Sequence, residues 1–137
     1  MELKLDKKDV LTFIEDYYKK TEERVVKARI ESQKVSRGYG RDEYDVCSSV
    51  IKLEEEVTLL GSKAKLSSIV SESELKNIFT NILEESGYEV ERIAFDDGLT
   101  HEQTGYYMYE QTFTKPYCNG LILNVKKLAK QKKMGGK

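Results

Sequence analysis

A single proline, Pro116, in 137 residues leaves long regular elements unobstructed over nearly the whole chain. Apolar spacing then decides what those elements are. Asp6 is placed to cap a helix beginning near Lys7, and Val10, Ile14, Tyr17, Thr21, Val25 and Ala28 follow in steps of four and three, one helix face. Carried to Arg37, this helix would run about 30 residues and about 45 Å. Gly38 and Gly40 break it. A second helix is expected from Asp42, because Val46, Val50, Leu53, Val57 and Leu60 repeat as a heptad seam, with Gly61 as its stop. The first 66 residues therefore read as an antiparallel helical hairpin.

The next segment carries the strongest local signal. Ser71 and Glu74 make a capping box, flanked by Val70 and Leu75 at the hydrophobic-staple positions. Leu75, Ile78, Phe79, Ile82 and Leu83 give the helix one broad apolar face, and Gly87 ends it. A strand from Tyr88 to Phe95 follows, with a bulge expected near Glu91–Arg92, where the alternation changes phase. Asp96–Asp97–Gly98 reads as a turn, Gly105 to Thr114 as a strand, Pro116 to Gly120 as a turn and Leu121 to Lys126 as a third strand. The expected fold is α+β: a helical hairpin over 1–66, an α-β-β-β unit over 67–127 with a small, mainly antiparallel three-stranded sheet, and a basic tail over 128–137. All three parts are short enough to form one compact domain.

Hydrophobic residues at 39% and charged residues at 34% suit a folded chain with a charged surface. No secretory signal and no apolar run of membrane-spanning length is present, which implies a cytoplasmic protein without a membrane partner. Cys47 and Cys118 are the two cysteines and His101 the single histidine. That set cannot supply four soft ligands for zinc, so two reduced thiols, no metal and no cofactor are expected. Asp96, Asp97, His101 and Glu102 form the one acid-and-histidine group, but their spacing matches no calcium loop, and no nucleophile is set beside His101. No catalytic residue is assigned.

The net charge of −1 hides a gradient. Residues 1–41 hold eleven basic and eight acidic groups, residues 42–110 five and sixteen, and residues 126–137 six lysines and no acid. Such segregation bears on partners rather than on fold. Glu54–Glu56 and the later acids are expected to offer a negative face to a basic surface. Arg37, Tyr39 and Arg41 in the glycine loop, Tyr17 and Tyr18 on the first helix, and Tyr106, Tyr107 and Tyr109 on the tyrosine-rich strand are the candidate partner-binding residues, because exposed tyrosine and arginine are favoured at interfaces.

One stretch invites comparison with a known family. Glu74 and its helix, then Ser86–Gly87–Tyr88–Glu89–Val90–Glu91–Arg92–Ile93–Ala94–Phe95, and later Leu121–Ile122–Leu123–Asn124–Val125–Lys126–Lys127, resemble the core of archaeal-type Holliday junction resolvases and related PD-(D/E)xK nucleases. The resemblance implies Lys126 in the place of the catalytic lysine and Glu72 or Glu74 in that of the helix glutamate. Asn124 stands where the metal-binding glutamate would be, and an amide lacks its charge. The implied function is nucleic-acid binding on a degenerate nuclease-like fold, with Lys126, Lys127, Lys130, Lys132 and Lys133 along the phosphates.

The leading expectation is a non-enzymatic interaction or regulatory protein that binds another protein, with self-association through the hairpin as a further route. A composition rich in Lys, Glu, Ile and Tyr is compatible with a phage or mobile-element accessory or inhibitor acting on a host machine.

Overall fold

The chain opens with a strand, and no helical hairpin follows it. In the computed structural model, which describes residues 1–104 and 111–128, Glu2–Asp6 forms β1 and Lys7–Thr21 forms α1. Asp6 caps α1 as its position suggested, accepting from the Asp9 N–H at 2.8 Å. Lys19 and Lys20 in the last turn complement the helix dipole. The helix ends at Thr21, not Arg37: Glu23 takes a φ of 51°, the left-handed exit from a helix C-terminus. Lys27–Arg37 is then β2, Tyr44–Leu59 is β3 and Ser62–Ile69 is β4. The expected hairpin of helices is therefore an antiparallel sheet ordered β2-β3-β4.

The reason lies in two periodicities that overlap. Val26, Ala28 and Ile30 recur at a step of two, and the register sets Ala28 against Leu53 and Ile30 against Ile51. Ile30, Ile51 and Leu53 are all buried. On a strand, the supposed heptad seam divides, with Val46, Val50 and Leu60 on one face and Leu53 and Val57 on the other. Ile51 belongs to no helical seam, yet it is fully buried. Val46, Val50, Ile51, Val57 and Thr58 also weight this segment toward strand through their branched Cβ atoms.

The later elements follow expectation more closely. Glu72–Glu84 is α2, with both hydrogen bonds of the Ser71–Glu74 capping box formed and Leu75, Ile78 and Phe79 buried. Tyr88–Thr104 is β5 and Gln111–Lys127 is β6. Glu91 is a bulge residue, since Val90 pairs with Val125 while Arg92 pairs with Asn124. Neither expected turn exists. Both strands run through Asp96–Gly98 and Pro116–Gly120, with Asp96 facing two residues, Asn119 and Gly120, at a second irregularity. Proline is tolerated at 116 because β1 pairs β6 only over Gly120–Asn124, leaving β5 as the ladder partner beyond.

β6 is the middle strand of a second antiparallel sheet, ordered β1-β6-β5. Leu121, Leu123 and Val125 are buried on its inner face. α1 packs on β2 and β6, α2 packs on β5, and the far halves of β5 and β6 cross β2 and β3. One buried cluster joins Val10, Ile14 and Tyr18 of α1 to Ile51, Phe79 and Leu123. The α+β class stands, with two α-helices and six strands among the described residues.

Gly120 locks β1 onto β6. Its φ is 147°, and a Cβ there would run into the Leu5 carbonyl oxygen. Gly120→Ala is expected to lower unfolding stability by roughly 2 to 3 kcal/mol, read as a shift in denaturant midpoint; an unchanged midpoint would contradict the close approach.

Candidate functional site

The β3–β4 hairpin is where exposed apolar surface concentrates. Leu59 pairs with Ser62, so the connection is the two residues Leu60 and Gly61. Both have positive φ, 50° and 84°, as a tight hairpin turn matching the strand twist requires. Glycine adopts this conformation without strain, whereas a γ-branched residue there costs about 1 kcal/mol. Leu60 is also fully exposed, at 105% of its reference area. Leu59 and Leu66 are 58% and 53% exposed, and Ile69 is exposed as well.

Sheet alternation explains why Leu59 and Leu66 are bare, whereas Ile69, opposite Lys52, lies on the other face. Leu53, Val57 and Leu59 share the inner face of β3 with the buried Ile51, and Ala64 and Leu66 of β4 lie opposite Val57 and Glu55 on that face. The core covers this face as far as Leu53. At the margin, Arg24 stacks over the Tyr18 ring at 4.8 Å and pairs with Glu55 at 2.9 Å. Nothing among the described elements reaches beyond it, and β4 makes extensive contact only with β3. The arm from Glu56 to Leu66 thus extends the core's apolar face past the core itself.

The outer face of the same sheet carries Ile69 and Val50 but is charged over its middle. Arg29 pairs with Glu31 at 2.6 Å and Glu54 at 2.7 Å, Lys52 with Glu31 at 2.9 Å, and Lys63 with Glu56 at 3.6 Å. Lys52 and Arg29 hold the Glu31 carboxyl below its ordinary range, and Arg29 does the same to Glu54. The acids Glu54–Glu56, expected to face a basic partner, are each engaged by a cation of their own chain.

β4 is also an open edge. The Val70 N–H donates to the Ile51 carbonyl, so alternation turns the N–H groups of Ala64, Leu66 and Ser68 toward β3 and those of Lys63, Lys65, Ser67 and Ile69 outward. The opposite edge of the sheet is partly sheltered, because Glu15 of α1 accepts from the Ala28 N–H of β2 at 2.8 Å.

The candidates read from the sequence do not form one site. Tyr17 lines an open groove of about 650 Å³ between α1 and α2 with Phe13, Lys20 and Ile82. Tyr18 is a core residue, 3% exposed and edge-on to Tyr17. Burial, with Glu74 second, raises the pKa of its hydroxyl. Arg37, Tyr39 and Arg41 are exposed around the β2–β3 connection, at the end of β3 opposite Leu60. Tyr106, Tyr107 and Tyr109, and likewise Lys130, Lys132 and Lys133, lie outside the described residues. Lys126 pairs with Glu89 at 3.2 Å, while Lys127 is exposed at the end of β6. Glu74 is occupied in the capping box, and Asn124 lies opposite Arg92 and Glu2. Asp97 accepts from Ser49, and no group of three or more His, Cys, Asp or Glu side chains among the described residues is arranged to hold a metal. No helix among them is long and apolar enough to cross a membrane.

The arm escaped the sequence reading because a helical seam accounts for the same residues. Its one signal was the dipeptide Leu60–Gly61 just after the β-branched Val57 and Thr58, a hairpin turn with leucine where asparagine is usual. Leu60→Asn is therefore expected to stabilise the protein by about 1 kcal/mol in denaturant unfolding; a loss of stability would show that Leu60 packs within its own chain. Compared with protein-family models, curated proteins and solved structures, the chain shows no match, and its function has to be read from the arm's own geometry and chemistry.

Proposed function

We propose that the chain is a non-enzymatic interaction protein of a regulatory kind, which binds another protein through the β3–β4 arm. The observation that carries this reading is Leu60. It stands fully exposed in a backbone conformation that disfavours it, at the tip of an arm whose inner face is already apolar. Exposure and strain together disfavour leucine at this position in the free protein. Burial against a partner offsets both, at about 1.5–3 kcal/mol per leucine-sized side chain.

The partner is an extended strand of a second protein, added along the open edge of β4. Main-chain hydrogen bonds to Lys63, Lys65, Ser67 and Ile69 would supply its register, and side chains of alternating character its specificity. Apolar residues suit the face of Leu66 and Ala64, and acidic ones suit the face of Lys63 and Lys65. Charge disfavours a second copy in two of the antiparallel registers open to it. Antiparallel self-pairing centred on Ala64 sets Lys63 against Lys65, and centring on Lys65 sets that lysine against its own copy, arrangements that like charges oppose.

The test compares the wild-type chain with the double variant Leu60→Asn, Leu66→Ser as immobilised baits in lysate of the native cell. Circular dichroism confirms that both are folded, and light scattering reports their oligomeric state. A protein held by the wild type and lost from the variant by 10-fold or more supports the reading. Equal retention by both, no retained protein, or a wild-type dimer that the variant abolishes would each overturn it.

A further inference from the structure

The place where the two sheets meet lies away from the arm, in the opening half of β3, and its chemistry is different. Ser49 of β3 donates to Asp97 of β5 at 2.5 Å and shares a hydrogen bond with Ser32 of β2 at 2.7 Å. Around this short polar chain sit both cysteines. Cys47 of β3 has its Sγ 3.7 Å from the Ser49 hydroxyl and 3.6 Å from the carbonyl oxygen of Tyr117, the residue that precedes Cys118. Cys118 of β6 is the ladder partner of Asp97, and its thiol, which donates to the Gly120 carbonyl at 3.4 Å, lies near enough to the Ser49 hydroxyl and to Cys47 for both to act on its ionisation. The extra residue of β6 at Asn119–Gly120 is what permits this. It reverses the alternation, so Cys118 faces sheet β2-β3-β4 although Leu121 and Leu123 face the core.

Both cysteines are free and half-buried. They come from different sheets and converge on one hydroxyl, and each sulfur can swing about its own χ1. We propose that Cys47 and Cys118 are a covalent modification site, closing an intramolecular disulfide on mild oxidation and stapling the β5–β6 arm to sheet β2-β3-β4. With a small disulfide such as oxidised glutathione as the oxidant, one cysteine thiolate attacks a glutathione sulfur and releases one reduced glutathione. The second thiolate then attacks the protein sulfur of that mixed disulfide and expels the other glutathione. Two protein thiols are oxidised to one disulfide, one glutathione disulfide is reduced to two thiols, and the protons balance between them. Burial, foremost, pushes the Cys118 thiol pKa up, so the reaction is expected to accelerate with rising pH.

The site is independent of the proposed binding role, since neither cysteine lies on the exposed part of the arm. The full chain, held dilute in oxidised glutathione and trapped with an alkylating agent, is digested without reductant for mass spectrometry. The expected product is a monomer lighter by the two thiol hydrogens, with one peptide pair joined through Cys47 and Cys118 and a thermal midpoint several degrees higher. Cys47→Ser and Cys118→Ser should each instead accumulate a stable glutathione adduct on the remaining cysteine. Stable adducts on both wild-type cysteines, a disulfide between two chains, or thiols still reduced where dithiothreitol is fully oxidised would each overturn the proposal.

Discussion

Burial of one face of β6 is the constraint on which the rest of the structure depends. Leu121, Leu123 and Val125 alternate inward, with β1 and β5 on either side supplying the ladder. α1 lies against this strand, and its far half crosses β2. A strand so placed must be continuous, which is why Pro116 and the Asp96–Gly98 segment are absorbed into β6 and β5 instead of interrupting them. It also explains the close approach at Gly120, where β1 reaches the end of its pairing. The apolar surface covered here is far larger than any single hydrogen-bonding contribution and sets where the helices can sit.

What could be read beforehand was local and what could not was tertiary. The Asp6 cap, the Ser71–Glu74 capping box, the apolar face of α2 and the bulge at Glu91 each depend on a few neighbouring residues, and all are present. Besides the missed β1 and the two expected turns that β5 and β6 run through, the errors fell between Glu22 and Ile69. There Val26, Ala28 and Ile30 fit a strand, while Val25, Ala28 and Val46 to Leu60 fit helices. The decision rests on which partners are available. Pairing of Ile30 with Ile51 and burial of both against the body favour the strand. Ile51 was the residue that a helical seam could not explain. The absence of asparagine before Gly61 hid the hairpin, so the same unusual leucine that obscured the arm marks it as a candidate site. None of the convergence of Cys47, Ser49, Asp97 and Cys118 is visible in the linear order, because it depends on a one-residue excess in β6.

Two properties of the molecule pull against each other at the arm. Ion pairs on the outer face of β2-β3-β4 are exposed and individually weak. The inner face is apolar, yet beyond Glu55 no other helix or strand among the described residues covers it. An open β edge next to bare leucines is usually protected against indiscriminate pairing, and Lys63 and Lys65 supply that protection while leaving the edge usable by a strand of opposite charge. Sheltering of the Arg37–Arg41 loop is not required by this arrangement, which places the two exposed ends of β3 roughly 50 Å apart and lets them act separately.

Residue-level hydrogen exchange over β4 in the dilute free protein tests the central claim, that this strand is held on one side only. The amides of Ala64, Leu66 and Ser68 should exchange slowly and those of Lys63, Lys65 and Ser67 rapidly, in strict alternation. Uniform slow exchange through the segment would mean that its outer edge is already occupied, and uniform fast exchange that the hairpin does not form; either would contradict the account.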